Sequence, residues 1–160
     1  MLEDEVSKFF VNEREKKNVG AWGIDGKRKQ TLLYSAKVMV VGSDILAQMT
    51  LGNLVGLGVG NICCVDDKLI SDIDYPRFLY TTQQGTASLI GQPRVPSIIE
   101  TLHSINPLLN YFESCDVFNP SDAREFGPDV IINATNDSDS KRVCLEYCMN
   151  SHVPLVNISS

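Results

Sequence analysis

Lys37-Val-Met-Val-Val-Gly-Ser-Asp-Ile-Leu-Ala47, with Gly58-Val-Gly-Asn-Ile-Cys-Cys-Val-Asp66 shortly after it, sets two apolar β-type runs around one helical segment. Val38–Val41 runs into Gly42, Asp44 to Leu57 carries apolar residues at helical spacing, and the continuous run Asn61–Val65 ends on an acid, Asp66. Apolar runs without polar alternation suit strands buried on both faces. In a dinucleotide-type unit the phosphates sit at the helix N-terminus, and an acid roughly 20 residues beyond the first glycine takes the ribose hydroxyls. Gly42 and Asp66 are placed for those two tasks. The glycine pattern G-x-G-x-x-G/A is nevertheless broken. Position 44, where the backbone must approach the phosphates, is Asp44. Its carboxylate either repels a polyphosphate or serves as an ordinary N-cap for the helix that follows.

Outward from this unit, strand and helix patterns alternate. Pro96 to Ile105 reads as a helix ending at Asn106-Pro107, Tyr111–Val117 as a third strand and Asp129–Ala134 as a fourth. Lys141 to Asn150 is helical and Val153–Ile158 is a fifth strand. Repeated β–α–β order implies a Rossmann-like α/β/α architecture, a mostly parallel sheet between two helical layers. Upstream, residues 3–18 are charge-rich with a Val6, Phe9, Phe10 stripe. Gly20, Gly23 and Gly26 around Trp22 break that segment, and Lys27–Ser35 forms a short helix into the first strand. The expected division is a helical arm over residues 1–34 and a nucleotide-binding domain over residues 35–160. Asp67 to Gly91 is long and turn-rich, as functional loops tend to be.

The bulk properties bound the partners. The 160 residues suffice for one domain with a core, and 43% hydrophobic against 21% charged residues is ordinary for a globular chain. A net charge of −6 excludes a broad nucleic-acid footprint, which needs a basic face. No apolar run is long enough to span a membrane. An odd number of cysteines, five, on apolar segments reads as reduced thiols and a cytoplasmic setting. Cys144 and Cys148 share a helix face at i, i+4, but no further ligand pair accompanies them, so core packing is favoured over metal. His103 and His152 are isolated and carry no assigned chemistry.

Several segments, taken in order, resemble the ThiF/MoeB/HesA superfamily, which includes the ubiquitin-activating enzymes. They are Gly23-Ile-Asp-Gly-Lys-Arg-Lys-Gln-Thr-Leu, Ser35-Ala-Lys-Val-Met-Val-Val-Gly, Asn53-Leu-Val-Gly-Leu-Gly-Val-Gly-Asn-Ile, Gly91-Gln-Pro-Arg-Val, Ser104-Ile-Asn-Pro and Val153-Pro-Leu-Val. The likeness covers residues 12–158. It implies a dimeric domain that binds ATP and Mg2+ and adenylates a carboxylate, either a ubiquitin-like protein's C-terminus or a small acid. Position by position, it puts Asp66 on the ribose. Arg77, within Tyr75-Pro-Arg-Phe-Leu, and Arg94 fall on the triphosphate as its catalytic cations. The family's neighbouring asparagine and glutamine are here Asp74 and Phe78. Arg94 stands where the family has lysine, a fork in place of a point charge. The family's magnesium-binding acid falls on Asn136, with Asp137 beside it as the substitute ligand. The same pair serves equally as a turn cap for the Lys141 helix. Arg14 lies near the position, about one residue off, of an arginine that reaches into a partner subunit's site. The family continues past the fifth strand with further sheet, so the chain looks truncated against it.

Two readings follow. In the first, the domain adenylates, with Arg77 and Arg94 clamping the triphosphate while the carboxylate attacks the α-phosphorus. In the second, it is a catalytically degenerate, non-ATP-binding scaffold or regulatory subunit that pairs with an active homologue, which Asp44 for glycine and Asn136 for aspartate would mark. NAD-linked redox chemistry is a weaker third, lacking both the glycines and a substrate domain.

Overall fold

The computed structural model describes residues 16–21, 23–72 and 89–158. The expected arm helix before Lys16, Trp22, Arg14, Asp74, Arg77 and Phe78 therefore lie outside the described residues.

Five strands form one parallel sheet: β1 (Lys37–Val41), β2 (Asn61–Val65), β3 (Asn110–Ser114), β4 (Val130–Asn133) and β5 (Leu155–Asn157), in the spatial order β3-β2-β1-β4-β5. Successive residues of a strand face opposite sides, so each apolar run feeds two cores. Val38, Val40, Ile62, Cys64 and Ile132 pack with Ala47, Leu51 and Val55 of α3 (Ile45–Leu57) and with Ile98, Ile99 and Leu102 of α4 (Arg94–Ile105). Met39, Val41, Cys63, Val65 and Ile131 pack on the other side with Ala123 of α5 (Pro120–Phe126) and with Cys144 and Cys148 of α6 (Ser138–Ser151). The architecture is the three-layer Rossmann-like α/β/α sandwich. The order reverses at β1, which pairs with β2 on one side and β4 on the other. In open α/β sheets the ligand crevice lies at such a switch, beyond the strands' carboxyl ends.

Before the sheet, α1 (Lys16–Ala21) and α2 (Gly26–Ser35) are joined by a 3-10 turn over Gly23–Asp25. Gly20 and Gly26 lie inside helices rather than between them, while Gly23, at φ 74°, lies in the junction. The pair is tied to the end of α3, where Gln30 Nε2 donates to Leu57 O at 2.9 Å and Asn18 Nδ2 to the same oxygen at 3.4 Å.

Elsewhere the differences from the sequence pattern have local causes. β3 stops at Ser114, and the chain then turns so that Phe118 enters the second core. α5 is an additional element. Asn119 caps it, accepting from Ser121 N at 3.0 Å, Pro120 opens it, and Gly127 at φ 66° closes it. α6 starts at Ser138 because Asp137 accepts from Ser140 N at 2.7 Å. His152 closes α6 in the left-handed conformation at φ 57°, and His103 lies edge-on to Tyr111. Cys144 and Cys148 are buried packing residues, and burial raises the Cys144 thiol to about 12. Among the described residues, no helix is long and apolar enough to cross a membrane.

Candidate nucleotide site

The carboxyl ends of β1, β2 and β4 meet around a cavity of about 510 Å³, within the range of small-molecule sites. Gly42 makes the closure possible. It sits at φ 112°, and a Cβ there would lie 2.9 Å from both Ala134 C and Thr135 N. Its N–H donates to Val65 O at 2.8 Å, and Ala134 N donates to Val41 O at 2.8 Å. The loops after β1 and β4 are thus in backbone contact, and only glycine fits between them.

The next residue holds the ribose candidate. Ser43, fully buried, donates its hydroxyl to Asp66 Oδ2, while Gln48 Nε2 donates to Ser43 O at 2.8 Å. Asp66 is 7% exposed and lines the cavity. Burial raises its pKa above the ordinary carboxylate value, against the opposing effects of the Ser43 hydroxyl and the Lys68 ammonium. The carboxylate is thus oriented at the cavity wall by one hydroxyl donor.

Asp44 neither caps nor stands alone. It occupies the N-cap position of α3 in extended conformation, yet its side chain accepts no helix amide. Instead Oδ1 receives Arg94 Nη1 at 2.8 Å and Oδ2 receives Lys68 Nζ at 3.2 Å. These cations come from distant segments held side by side. Ile70 N donates to Gln92 O at 2.8 Å, Arg94 N to Lys68 O at 3.0 Å, and Leu69 bridges to Pro93. Arg94 is 10% exposed at its side chain and also donates from Nε to Leu69 O at 3.2 Å. The structure therefore places Arg94 on an internal carboxylate.

Asp137 lines the cavity while capping α6, and the Ser140 amide holds its pKa below the usual range. Asn136 is exposed and is not among the lining residues. Gly42, Asp66 and Asp137 thus share one cavity, with Lys68 and Ser43 as neighbours that sequence reasoning missed. Lys68 follows two acids directly, and nothing local marks it. Arg14 and Arg77 lie outside the described residues.

Among the described residues, the cavity offers more acid than base to a nucleotide. Among those described, the lining offers Asp66, Asp67, Asp137 and Asp139 against Lys68 alone. Lys68 is itself engaged by Asp44. No cluster of three or more candidate ligands stands ready for a metal ion among the described residues. Mg2+ needs only one or two protein carboxylates beside phosphate oxygens and waters, and Asp137, the expected ligand, lines the cavity.

Residues 16–160 match the model of the ThiF family. The chain belongs to the ThiF family. It is 29% identical over 140 residues to "Adenylyltransferase and sulfurtransferase uba4" of Pyricularia oryzae, covering 86% of this chain and 27% of that protein. Over 93 residues it is 29% identical to "SUMO-activating enzyme subunit 1" of Dictyostelium discoideum, covering 58% of this chain and 26% of that protein. The ThiF domain thus spans about a quarter of the length of both relatives. Its fold matches E. coli tRNA N6-threonylcarbamoyladenosine dehydratase, solved with ATP, at a TM-score of 0.75 and 20% identity, covering 89% of this chain and 58% of that one.

For this ThiF chain, replacing Asp66 by Asn is expected to move stability and binding in opposite directions. An acid whose pKa is raised on folding binds its proton more tightly in the native state. Its unfavourable contribution is absent below the unfolded value and fully present above the raised native one. Stability therefore falls as pH rises through that window, and Asp66→Asn removes the fall. Thermal melting across pH 3 to 7 would show the variant's midpoint flatter and higher at neutral pH. Nucleoside affinity would drop by about 1–3 kcal/mol, the cost of a lost hydrogen bond to a charged group. A wild-type slope retained in the variant would sink the assignment.

Proposed function

We propose that this chain is a ubiquitin-activating-enzyme-like ThiF domain that binds an adenine nucleotide by its nucleoside end. It works in a pair with a homologous subunit, where a carboxylate is activated by adenylation. On this reading the acceptor is a ubiquitin-like protein's C-terminus or a small acid, and this chain alone does not transfer the adenylyl group. The observation that carries the reading is the Asp44 carboxylate, which engages both Lys68 and Arg94. A loop that cradles phosphates needs close backbone approach and free positive charge, and here the cations already have an anion. Asn136 at the position of the family's magnesium-binding acid points the same way, and one relative is itself named a subunit of an activating enzyme. Asp66, fixed by Ser43, would hold the ribose, and the buried Gln48 keeps the loop in place.

A self-sufficient adenylating domain is the second reading. The nucleotide-sized cavity and the ATP-bound structural neighbour favour it. Arg77 and Arg94 would then clamp the triphosphate of Mg·ATP while a substrate carboxylate attacks the α-phosphorus and pyrophosphate leaves.

Pyrophosphate exchange by the isolated chain, run alongside calorimetry with adenosine, separates the two. Adenosine binding without exchange is the expected result. Exchange above background with any carboxylate would establish the second reading, and the absence of both exchange and adenosine binding would overturn a nucleotide role altogether.

A further inference from the structure

We propose that Asp44 makes this cavity selective against phosphate, so that it prefers an uncharged nucleoside to a nucleoside triphosphate. The inference rests on the reading of the cavity as a nucleoside site and adds the class of ligand it takes.

Three features combine. First, Asp44 sits at the start of α3, where an incoming phosphate would seek the helix's positive end. Its carboxylate holds the cations from two other segments: Arg94 at 2.8 Å and Lys68 at 3.2 Å. A phosphate must therefore compete with a covalently tethered anion already in contact. Second, the loop has little freedom to move that anion aside. Gly42 is wedged against Ala134 and Thr135, and the buried Gln48 side chain binds Ser43 O at 2.8 Å. The bridge between Leu69 and Pro93 fixes both cations beside it. Third, the cavity, which Asp44 borders through its contact with the lining residue Lys68, carries four carboxylates among the described residues, Asp66, Asp67, Asp137 and Asp139. Each added phosphate thus brings negative charge towards the lining carboxylates, while Lys68 and Arg94 already share the charge of Asp44. The ribose end meets the opposite situation. Asp66 is buried, oriented by Ser43 and able to accept from hydroxyls.

The test is a calorimetric series on the full chain with adenosine, AMP, ADP and ATP, without added metal, at low and high salt. Affinity is expected to fall along the series, by tenfold or more from adenosine to ATP. The gap should narrow at high salt, because screening weakens repulsion between exposed charges. Asp44→Asn, checked for folding by its melting curve, should raise ATP affinity about tenfold relative to adenosine. ATP binding as tightly as adenosine in the wild type, or weakening with salt as an attractive cradle would, overturns the selectivity and leaves the nucleoside site standing. Binding of none of the four ligands overturns the nucleoside site, and the selectivity with it. Because the salt arm uses the wild-type chain, it decides for or against the selectivity even if the variant fails to fold.

Discussion

Gly42→Ala is expected to destabilise the domain by about 2–5 kcal/mol, combining a strained left-handed backbone with an overpacked contact. The new methyl would lie 2.9 Å from Ala134 C and Thr135 N. Both are backbone atoms, tied into the sheet by the Ala134 N to Val41 O bond of 2.8 Å. No side chain can swing aside, so the loops after β1 and β4 must separate. Set against a typical domain stability of roughly 5–15 kcal/mol, the loss is large enough to read in any denaturant titration. Gly91 supplies the control. It has a similar backbone angle, φ 86°, but an added Cβ there meets nothing within 4 Å. Gly91→Ala should therefore show the strain alone, roughly 1–2 kcal/mol. Equal losses at the two positions would mean that the loops do not touch.

This contact also shows what sequence can and cannot convey. β1 and β2 were legible because Val38–Val41 and Asn61–Val65 are continuous apolar runs bounded by turn residues, a pattern that follows from burial on both faces. Asp66 was legible for a related reason, since a strand of fixed length delivers its last residue to the sheet's carboxyl edge. α5 was missed although Asn119, Pro120 and Gly127 mark its ends. At seven residues it shows too little periodicity to announce itself. The partners of Asp44 were not legible at all. Lys68 lies 24 residues away and Arg94 lies 50 away. What brings them together is the pairing of 68–70 with 92–94, a tertiary event with no periodic signature. A carboxylate in a phosphate loop therefore reads as bare repulsion in sequence and as a closed ion network in the fold.

Arg94 tests that network most directly. Arg94→Ala removes the donor at 2.8 Å from Asp44 and the Nε bond to Leu69 O, from a side chain only 10% exposed. Removing one partner of a fully buried pair costs roughly 3–5 kcal/mol, mostly through the charge left behind. Asp44 is 34% exposed and keeps Lys68, so solvent and the ammonium soften the loss. The expected destabilisation is about 2–3 kcal/mol. Arg94→Lys keeps the charge but not the fork that serves Asp44 and Leu69 together, and should fall between wild type and Ala. In the double variant with Asp44→Asn, the two losses should sum to more than the combined effect, because each single change strands the other's partner. Chemical denaturation of the four proteins measures the coupling. Additive losses, or an Arg94→Ala variant within about 0.5 kcal/mol of wild type, would mean that the guanidinium stands free of Asp44. It would then be available to a phosphate, and the self-sufficient adenylating reading would gain what the paired-subunit reading loses.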